Sequence, residues 1–374
     1  MTDSPDLFSR VQQGLLTSID VHFAEQIAAL ENPASPEVVL AAALASRATG
    51  DGHVCLVLAA AARQTGWPPS ELPAPARWEK QLRGSKVIGR PGDFTPLVLD
   101  EKNRLYLYRY WQYEQRLIDG IRRRLAPSML PDVDWQRLRD GLARLFPSAP
   151  AGEAANWQKL AAMVAVVKPF CVVSGGPGTG KTHTIAKILA LLLEQAPAAS
   201  LRIFLAAPTG KAAARLGESL QSARESLACA PAVKAAMPAA AATLHRLLKA
   251  VPGSPYFRHH SENPLPADVV VVDEASMVDL ALMSKLVQAL PDSCRLILVG
   301  DRDQLASVEA GAALGDICGR GVAAEYSETL IRAAERAAGE KPQFGRRLPQ
   351  IELPIRDSVV QLVHSYRFSE TGRI

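Results

Sequence analysis

A glycine-rich stretch near the middle of the chain has the residues and spacing of a phosphate-binding loop. SGGPGTGKT follows the apolar run FCVV and precedes the helical pattern KTHTIAKILALLLEQ, which is the strand, loop and helix context that such a loop requires. Glycines let backbone N–H groups turn towards phosphate oxygens, and the helix N-terminus adds partial positive charge. Lys181 is expected to reach the β- and γ-phosphates, and Thr182 to ligate Mg²⁺. The predicted nucleotide-binding residues are Gly175, Gly176, Pro177, Gly178, Thr179, Gly180, Lys181 and Thr182.

Two acids that follow a run of valines fit the second half of the same site. In VVVVDEAS, Asp273 is placed to orient Mg²⁺ through water, and Glu274 to take a proton from an attacking water. The adjacent carboxylate favours continuous hydrolysis over a nucleotide switch. In LILVGDRDQL, the amide of Gln304 is expected just past another strand end, where it would contact the γ-phosphate. The alternative for this turn is that Asp301 and Asp303 only cap it.

A basic region between these two motifs is the candidate surface for DNA. Residues 201–266 carry eight Lys or Arg and three acids, an excess of +5 against +4 for the whole chain. The strand RIFLAAP runs into TGKAAARL at the edge of the sheet where the phosphate loop is expected, and ATLHRLL follows. Hydroxyl and basic side chains there could grip a sugar-phosphate backbone; solvated helix-start residues are the alternative. The candidate DNA contacts are Pro208, Thr209, Gly210, Lys211, Arg215, Thr243 and His245.

Other chemistry-bearing residues favour ordinary structural roles. The alternation in RLYLYRYWQY predicts a half-buried strand, with a base-stacking platform of Tyr106, Tyr108, Tyr110 and Trp111 as the alternative. The pair His259 and His260 lacks nearby ligands at suitable spacing, which favours a polar turn over a metal site. Five scattered cysteines without a CxxC pair argue against a disulfide framework or a zinc site.

The elements that must position these residues predict an α/β fold. Four short apolar runs, FCVVS, RIFLAAP, DVVVVDE and RLILVGD, alternate with helical stretches, as in a parallel sheet wrapped by helices. Ligands of such sheets lie at the carboxyl ends of the strands. With 374 residues, of which 48% are hydrophobic, the chain is long enough for two or three domains. No signal peptide pattern or long apolar run is present in the sequence, so a cytoplasmic location without a membrane partner is expected.

Composition shifts along the chain predict its domain boundaries. Residues 1–145 are expected to form a mostly helical N-terminal domain, and the Pro, Ser, Ala and Gly cluster at 146–155 a linker. Residues 156–325 would form the nucleotide-binding domain. An exposed connection is predicted for 326–357, and 358–374 is expected to begin a second, incomplete domain, because DSVVQLVHSYRF starts a strand close to the last residue.

The motifs together resemble the RecD family, the superfamily one DNA helicase subunits of RecBCD exodeoxyribonuclease. The resemblance rests on NWQKLAAMVAVV, SGGPGTGKT, LAAPTGKAAARL, TLHRLL, VVVVDEASMVDL, GDRDQLASVEAGAALGDIC and SYRF, in this order. It implies a RecA-like motor domain that hydrolyses ATP with Mg²⁺ and moves 5′ to 3′ along single-stranded DNA in double-strand break repair and recombination. Gln158 matches the glutamine that contacts adenine, and Arg367 the arginine that reaches the γ-phosphate from the second motor domain. The N-terminal domain would dock on RecB and RecC.

The sequence departs from this family after SYRF, because nothing matches the later helicase motifs. The chain therefore looks truncated, and we expect it in isolation to be a poor ATPase and no helicase. Its dispersed acids suit no two-metal nuclease centre, so nuclease activity is expected only from the complex. Two alternatives remain at this point: an ATP-dependent switch or scaffold for assembly, and a self-sufficient helicase outside RecBCD.

Overall fold

The structure, a computed structural model, describes residues 7–126, 132–147, 156–196, 201–304, 310–319, 326–338 and 355–363. The chain divides into two compact units. The first comprises residues 1–116 with 279–284 and 307–311, and the second comprises 117–278, 285–306 and 312–374. Within the described residues, no helix is both long and apolar enough to span a membrane.

The helices and strands follow in chain order. The α-helices are α1 Leu7–Gln12, α2 Ser18–Leu30, α3 Pro36–Gly50, α4 Ala61–Thr65, α5 Pro75–Arg83, α6 Tyr108–Leu125, α7 Trp135–Leu145, α8 Trp157–Val167, α9 Lys181–Gln195, α10 Gly210–Ser226, α11 Pro231–Ala236, α12 Leu244–Leu247, α13 Leu280–Ala289, α14 Ala313–Cys318 and α15 Glu328–Ala338. The strands are β1 Leu56–Val57, β2 Ile88–Gly89, β3 Leu97–Leu99, β4 Arg104–Leu107, β5 Phe170–Gly175, β6 Ile203–Ala207, β7 Ala242–Thr243, β8 Val269–Val272, β9 Arg295–Gly300 and β10 Val359–Leu362.

The first unit combines helices with a small sheet. Its strands lie in the order β1-β4-β3-β2, and β4 is antiparallel to both of its neighbours. Alanine-rich α3 is buried along most of its length, with Leu44 fully buried, and the core includes the indole of Trp78. Small side chains on α3 let neighbouring elements approach closely. The mostly helical character predicted for this region is therefore correct, with a four-stranded sheet added.

The strand predicted for RLYLYRYWQY is wrong beyond Leu107. Strand β4 ends there, and α6 begins at Tyr108. The rings of Tyr108 and Trp111, three residues apart, lie with their centroids 6.0 Å apart, which is the spacing of neighbours on a helix. Tyr106 is buried, so its ring is not available for the base-stacking platform considered from the sequence. The alternating pattern of these ten residues is therefore compatible both with one long strand and with a short strand followed by a helix.

The second unit contains a six-stranded, all-parallel sheet in the order β10-β5-β9-β8-β6-β7. The four predicted strands are its centre, β5, β6, β8 and β9, which confirms the α/β fold class. Residues of β5 and β8 are buried without interruption, which is typical of the central strands of a parallel sheet. The short strand β7 and the edge strand β10 were not predicted in this sheet.

Two predictions about the last part of the chain are corrected. The strand expected near residue 358 exists, but β10 pairs in parallel with β5 through Val359–Val172 and Leu362–Gly175, so it extends this sheet. The stretch 326–357 was expected to be an exposed connection. Of its described residues, 326–338 contain α15, and Tyr326, Leu330 and Asp357 are buried. The predicted domain boundaries remain predictions; residues 148–155 and 364–374 lie outside the described part of the chain.

Helix α8 is held firmly at both ends, which matters because Gln158 lies in its first turn. The side chain of Asn156 caps its N-terminus by accepting from the Lys159 backbone N–H at 2.9 Å. At the other end, the guanidinium of Arg295 donates to the carbonyl of Ala165 at 2.8 Å and to that of Lys168. These contacts fix α8 against β9 and so set the position of Gln158.

Candidate nucleotide site

The glycine-rich loop connects β5 to α9 and has the backbone that its glycines allow. Gly178 and Gly180 have φ values of +81° and +77°, which side chains with a Cβ rarely adopt. The hydroxyl of Thr179 donates to the Gly176 carbonyl at 2.8 Å and closes the turn. Gly180 is the N-cap of α9, so the first backbone N–H groups of a 15-residue helix face the loop, where an anion is favoured.

Lys181 lies at the start of α9 with its ammonium against the loop. Its Nζ donates to the carbonyls of Gly175 at 2.7 Å and Gly176 at 3.1 Å. A phosphate held in this loop would therefore lie beside a positive charge and a row of N–H donors. Gln158 reaches the same loop, since its Nε2 donates to the Thr179 carbonyl at 2.9 Å. Its side-chain oxygen is left as an acceptor.

The two acids follow β8 directly, at the carboxyl end of the sheet. The backbone N–H of Asp273 still donates to the Ala206 carbonyl of β6 at 2.9 Å, so the sheet fixes this residue. The chain then turns sharply at Glu274, whose φ of +51° is uncommon for a residue with a side chain. The Glu274 backbone N–H donates to Asp273 Oδ1 at 2.9 Å. Strain of this kind is concentrated at functional sites.

Burial controls the ionisation of Asp273. The residue is 9% exposed, and burial raises the pKa of its carboxyl from 3.8 to about 6. The backbone N–H of Glu274 and the ammonium of Lys181 lower this pKa, whereas the Glu274 carboxylate raises it. The arrangement favours a cation beside Asp273.

The loop after β9 brings a third motif to the same edge. Gln304 accepts a hydrogen bond from the Ser276 hydroxyl at 3.0 Å through Oε1. Asp301 caps its own turn, because its Oδ1 accepts from the Asp303 backbone N–H at 3.1 Å and its carbonyl accepts from the Gln304 N–H at 3.2 Å. Asp301 therefore caps this turn, as the alternative from the sequence proposed. Gln304 still lines the cleft.

One cleft of about 1240 Å³ is lined by all three motifs. Lys181 and Thr182 from the loop, Asp273 and Glu274 from the strand end, and Gln304 share it. These acids thus lie on the same side of the sheet as the glycine turn. Among the other cleft-lining residues are Phe146, Pro147, Asn156, Gln158, Pro177, Gly178, Gly180, His183, Lys187 and Ser219.

The predicted DNA contacts separate into two places. Thr209, Lys211 and Arg215 line the nucleotide cleft, whereas Thr243 and His245 are not among its lining residues. Both threonines have a structural role as N-caps: Thr209 Oγ1 accepts from Ala212 N–H on α10, and Thr243 Oγ1 accepts from Arg246 N–H on α12, each at 3.2 Å.

The remaining predicted DNA contacts are exposed or half-buried. The ring of His245 packs at a tilt against Phe257, with centroids 5.6 Å apart. Pro208 is half-buried, and Gly210 is exposed at the first position of α10. Arg367, predicted to contact the γ-phosphate, lies outside the described residues.

Sequence reasoning missed Phe146, Lys187 and Ser219, which line the cleft from positions outside every motif. A usable signal was available for Lys187, the lone charge within the apolar run TIAKILALLL. The sequence contains no comparable signal for Phe146. This residue directly follows α7 and lines the cleft because of where that helix ends.

The candidate oxygen ligands for a metal ion are found in the cleft. In the part of the chain that the structure describes, no three His, Cys, Asp or Glu side chains gather into a metal-binding group. His259 instead faces the Asn263 carbonyl at 3.3 Å within a turn. The hydroxyl of Thr182 and the carboxylate of Asp273 both line the cleft. Hard oxygen ligands of this kind, completed by substrate phosphates, suit Mg²⁺.

Two segments of the chain match known protein families. Residues 12–106 match the family described as RecBCD enzyme subunit RecD, N-terminal domain, and residues 158–310 match an AAA domain family, whose domain implies nucleotide binding. RecBCD enzyme subunit RecD of Mycolicibacterium smegmatis is 43% identical over 310 residues, 81% of this chain and 52% of the relative. The Haemophilus influenzae subunit of the same name is 37% identical over 303 residues, covering 79% of this chain and 46% of the relative.

A third relative has a different name. The ATP-dependent RecD2 DNA helicase of Deinococcus radiodurans is 35% identical over 233 residues, 59% of this chain and 28% of that protein. The chain spans about half the length of the RecD subunits that it matches. Because one sequence carries both the RecD N-terminal domain and the adjoining AAA domain in this order, the chain belongs to the RecD family.

Proposed function

We propose that this chain is the ATP-binding part of a DNA-translocating motor, the RecD subunit of a RecBCD enzyme acting in double-strand break repair and recombination. The observation that carries the proposal is the shared cleft, in which the loop residues Lys181 and Thr182 face the acids Asp273 and Glu274. Loop lysine, hydroxyl and paired acids are the parts that hydrolysis of a nucleoside triphosphate requires.

Each cleft residue has a separate role in this proposal. Lys181 and the N–H groups of the loop neutralise the β- and γ-phosphates, and Gln158 contacts the adenine. Thr182 and Asp273 hold Mg²⁺, which when bound offsets charge on the phosphates. Glu274 takes the proton from the attacking water, and Gln304 contacts the γ-phosphate. Positioning and electrostatics of this kind supply nearly all of the catalysis in phosphoryl transfer.

Single-stranded DNA is the proposed track, and RecB and RecC are the proposed partners. The candidate DNA contacts, which follow or end β6 and β7, remain Pro208, Thr209, Gly210, Lys211, Arg215, Thr243 and His245. The proposal for Arg367 is that it reaches the γ-phosphate in trans from a second motor domain, where such arginines contribute about 10³ to 10⁵ in rate. The first unit would dock on the partner subunits, and the complex would act in the cytoplasm.

The decisive substitution is Lys181→Ala in the full-length protein assembled with its partners. A motor loses DNA-stimulated ATP hydrolysis and translocation while the complex still forms. A switch or scaffold loses assembly, which would overturn the proposal. Glu274→Gln is the matched variant, because it should retain nucleotide binding and lose hydrolysis. Co-purification of RecB and RecC with the wild-type protein separates a complex-bound subunit from the stand-alone alternative that the RecD2 relative represents.

A further inference from the structure

We propose that the groove between α9 and α10, continuous with the nucleotide cleft, is a second anion subsite that binds a phosphate group through Lys187, Lys211 and Arg215. The inference goes beyond the proposed function, because it does not require hydrolysis. It also gives Lys211 and Arg215, which the sequence suggested as direct DNA contacts, a common target within the cleft.

Helical spacing places cations along both walls of this groove. On α9, His183 and Lys187 are four residues apart; on α10, Lys211, Arg215 and Ser219 repeat at the same interval. Residues at this spacing share one helix face, and all five line the cleft. Lys187 lies about 9 Å along the helix axis from Lys181, six residues at ~1.5 Å each. The groove therefore continues well past the phosphate loop.

Lys187 lines the groove in a partly apolar setting. Its Nζ lies 4.4 Å from the ring centroid of Phe146, which is itself 3% exposed. Burial lowers the pKa of the Lys187 ammonium. A half-buried ammonium that lies against an aromatic face gains more from an anion than a solvated lysine does.

The three cations are also without acidic partners in the described part of the chain. No hydrogen bond or ion pair joins Lys187, Lys211 or Arg215 to a carboxylate there. Elsewhere in the same unit arginines are paired: Arg202 with Asp268 at 2.8 Å and Arg144 with Glu194 at 2.6 Å. Asp273, Glu274 and Asp301 also line the cleft, but none of them is paired with these three cations, which can therefore still attract an anion.

Size and chemistry favour a phosphate as that anion. The cleft measures about 1240 Å³, whereas sites for one small ligand usually have volumes of about 300–1000 Å³. A nucleotide at the loop thus leaves space in the groove. A guanidinium binds two phosphate oxygens at once, and ammonium groups add point charges. The phosphate could come from the DNA backbone or from ATP hydrolysis, and the chemistry of recognition is the same.

The test measures binding of inorganic phosphate to the Lys181→Ala variant by isothermal titration calorimetry, so that the loop's own cation is absent. We expect phosphate still to bind, and Arg215→Gln added to this variant to weaken binding by about tenfold or more, the value of a charged hydrogen bond. Lys187→Gln should act in the same direction. The control Lys80→Gln removes an exposed charge in the first unit and should change nothing.

Loss of all phosphate binding in Lys181→Ala alone, or an unchanged affinity after Arg215→Gln, would overturn the subsite. Arg215 is exposed, so its substitution should leave the fold intact, and circular dichroism checks this. An oligothymidylate competitor then identifies the source. Displacement of phosphate by the oligonucleotide indicates a DNA backbone phosphate, and failure to displace it indicates phosphate derived from the nucleotide; both results support the subsite.

Discussion

The hydroxyl of Ser276 donates to the side-chain oxygen of Gln304 at 3.0 Å. This bond joins the segment after Asp273 and Glu274 to the loop after β9. Ser276 is buried, and its backbone approaches the last residue of β9, since a Cβ built on Gly300 would lie 3.0 Å from the Ser276 nitrogen. The position of the Gln304 amide is therefore set by the acid-bearing segment, which links any contact with the γ-phosphate to the hydrolytic residues.

Gln304→Ala is expected to reduce affinity for a non-hydrolysable ATP analogue by about tenfold and to leave ADP affinity unchanged, because the lost contact is to the γ-phosphate. Fluorescence titration of the purified chain measures both ligands. Ser276→Ala is the matched control, since it keeps the amide and removes only its tether, and a smaller loss is expected. Equal losses for ADP and the analogue would show that Gln304 does not contact the γ-phosphate.

Asp273→Asn should stabilise the metal-free protein at pH 8. Burial raises the folded-state pKa of this carboxyl from 3.8 to about 6, so folding favours its protonated form. The stability contributed by that proton is fully present below about pH 4 and is lost as pH rises through 6. Removing the charge should therefore add about 2–3 kcal/mol at pH 8 and almost nothing at pH 4. Denaturant unfolding in EDTA at both pH values measures this; a variant less stable than wild type at pH 8 would contradict the pKa assignment.

Two glycines near the site should respond oppositely to alanine. A Cβ on Gly175 would lie 2.7 Å from Thr179 Oγ1 and 3.0 Å from Leu362 Cβ, whereas one on Gly210 meets nothing within 4 Å. Gly175→Ala is expected to cost about 1–3 kcal/mol of folding stability through overpacking. Gly210→Ala should be neutral or stabilise by about 0.4–1 kcal/mol. Urea unfolding measures the folding stability of both variants. Similar losses of stability in the two would contradict the close packing of Gly175 against Leu362 of β10.

Substitution of two adjacent arginines on α6 should have unequal effects on folding stability. Arg124 is fully buried and donates to the carbonyls of Gly120, Leu290, Pro291 and Cys294. Arg124→Met leaves these acceptors without donors and should cost about 2–4 kcal/mol. Arg123 forms a half-exposed pair with Asp292, so Arg123→Met should cost less than about 1 kcal/mol. Thermal unfolding compares them; equal melting temperatures would exclude the carbonyl-binding role of Arg124.

The sequence predicted the centre of the sheet well because buried parallel strands have a strong signal. Runs such as the four valines of β8, each followed by polar or glycine residues, leave few alternatives. The edges were predicted poorly: β7 is two residues long, and β10 pairs with β5, more than 180 positions earlier in the chain. Pairing over such a distance depends on the packed fold and leaves no local pattern. Helix α15 was missed because its charged face and flanking Gly and Pro suggested an exposed connection.

For the site, the motifs predicted the cleft-lining residues that carry chemistry, including Lys181, Asp273 and Gln304. They did not predict that Lys211 and Arg215 share this cleft, because which face of α10 is turned towards α9 is a property of helix packing. Phe146 and Lys187 meet only through the packing of α7 on α9. Roles assigned from motifs therefore need the three-dimensional neighbours of each residue before nucleotide and DNA contacts can be separated.

Calorimetric titration of this chain with ATP and Mg²⁺, in the wild type and in Lys181→Ala, tests most directly whether the glycine loop and the acid pair form one nucleotide site. We expect Mg²⁺-dependent binding by the wild type, and an affinity about tenfold or more lower in the variant at an unchanged melting temperature. Equal affinities in the two proteins, or wild-type binding that is indifferent to Mg²⁺ and to Asp273→Ala, would show that the nucleotide is not held there.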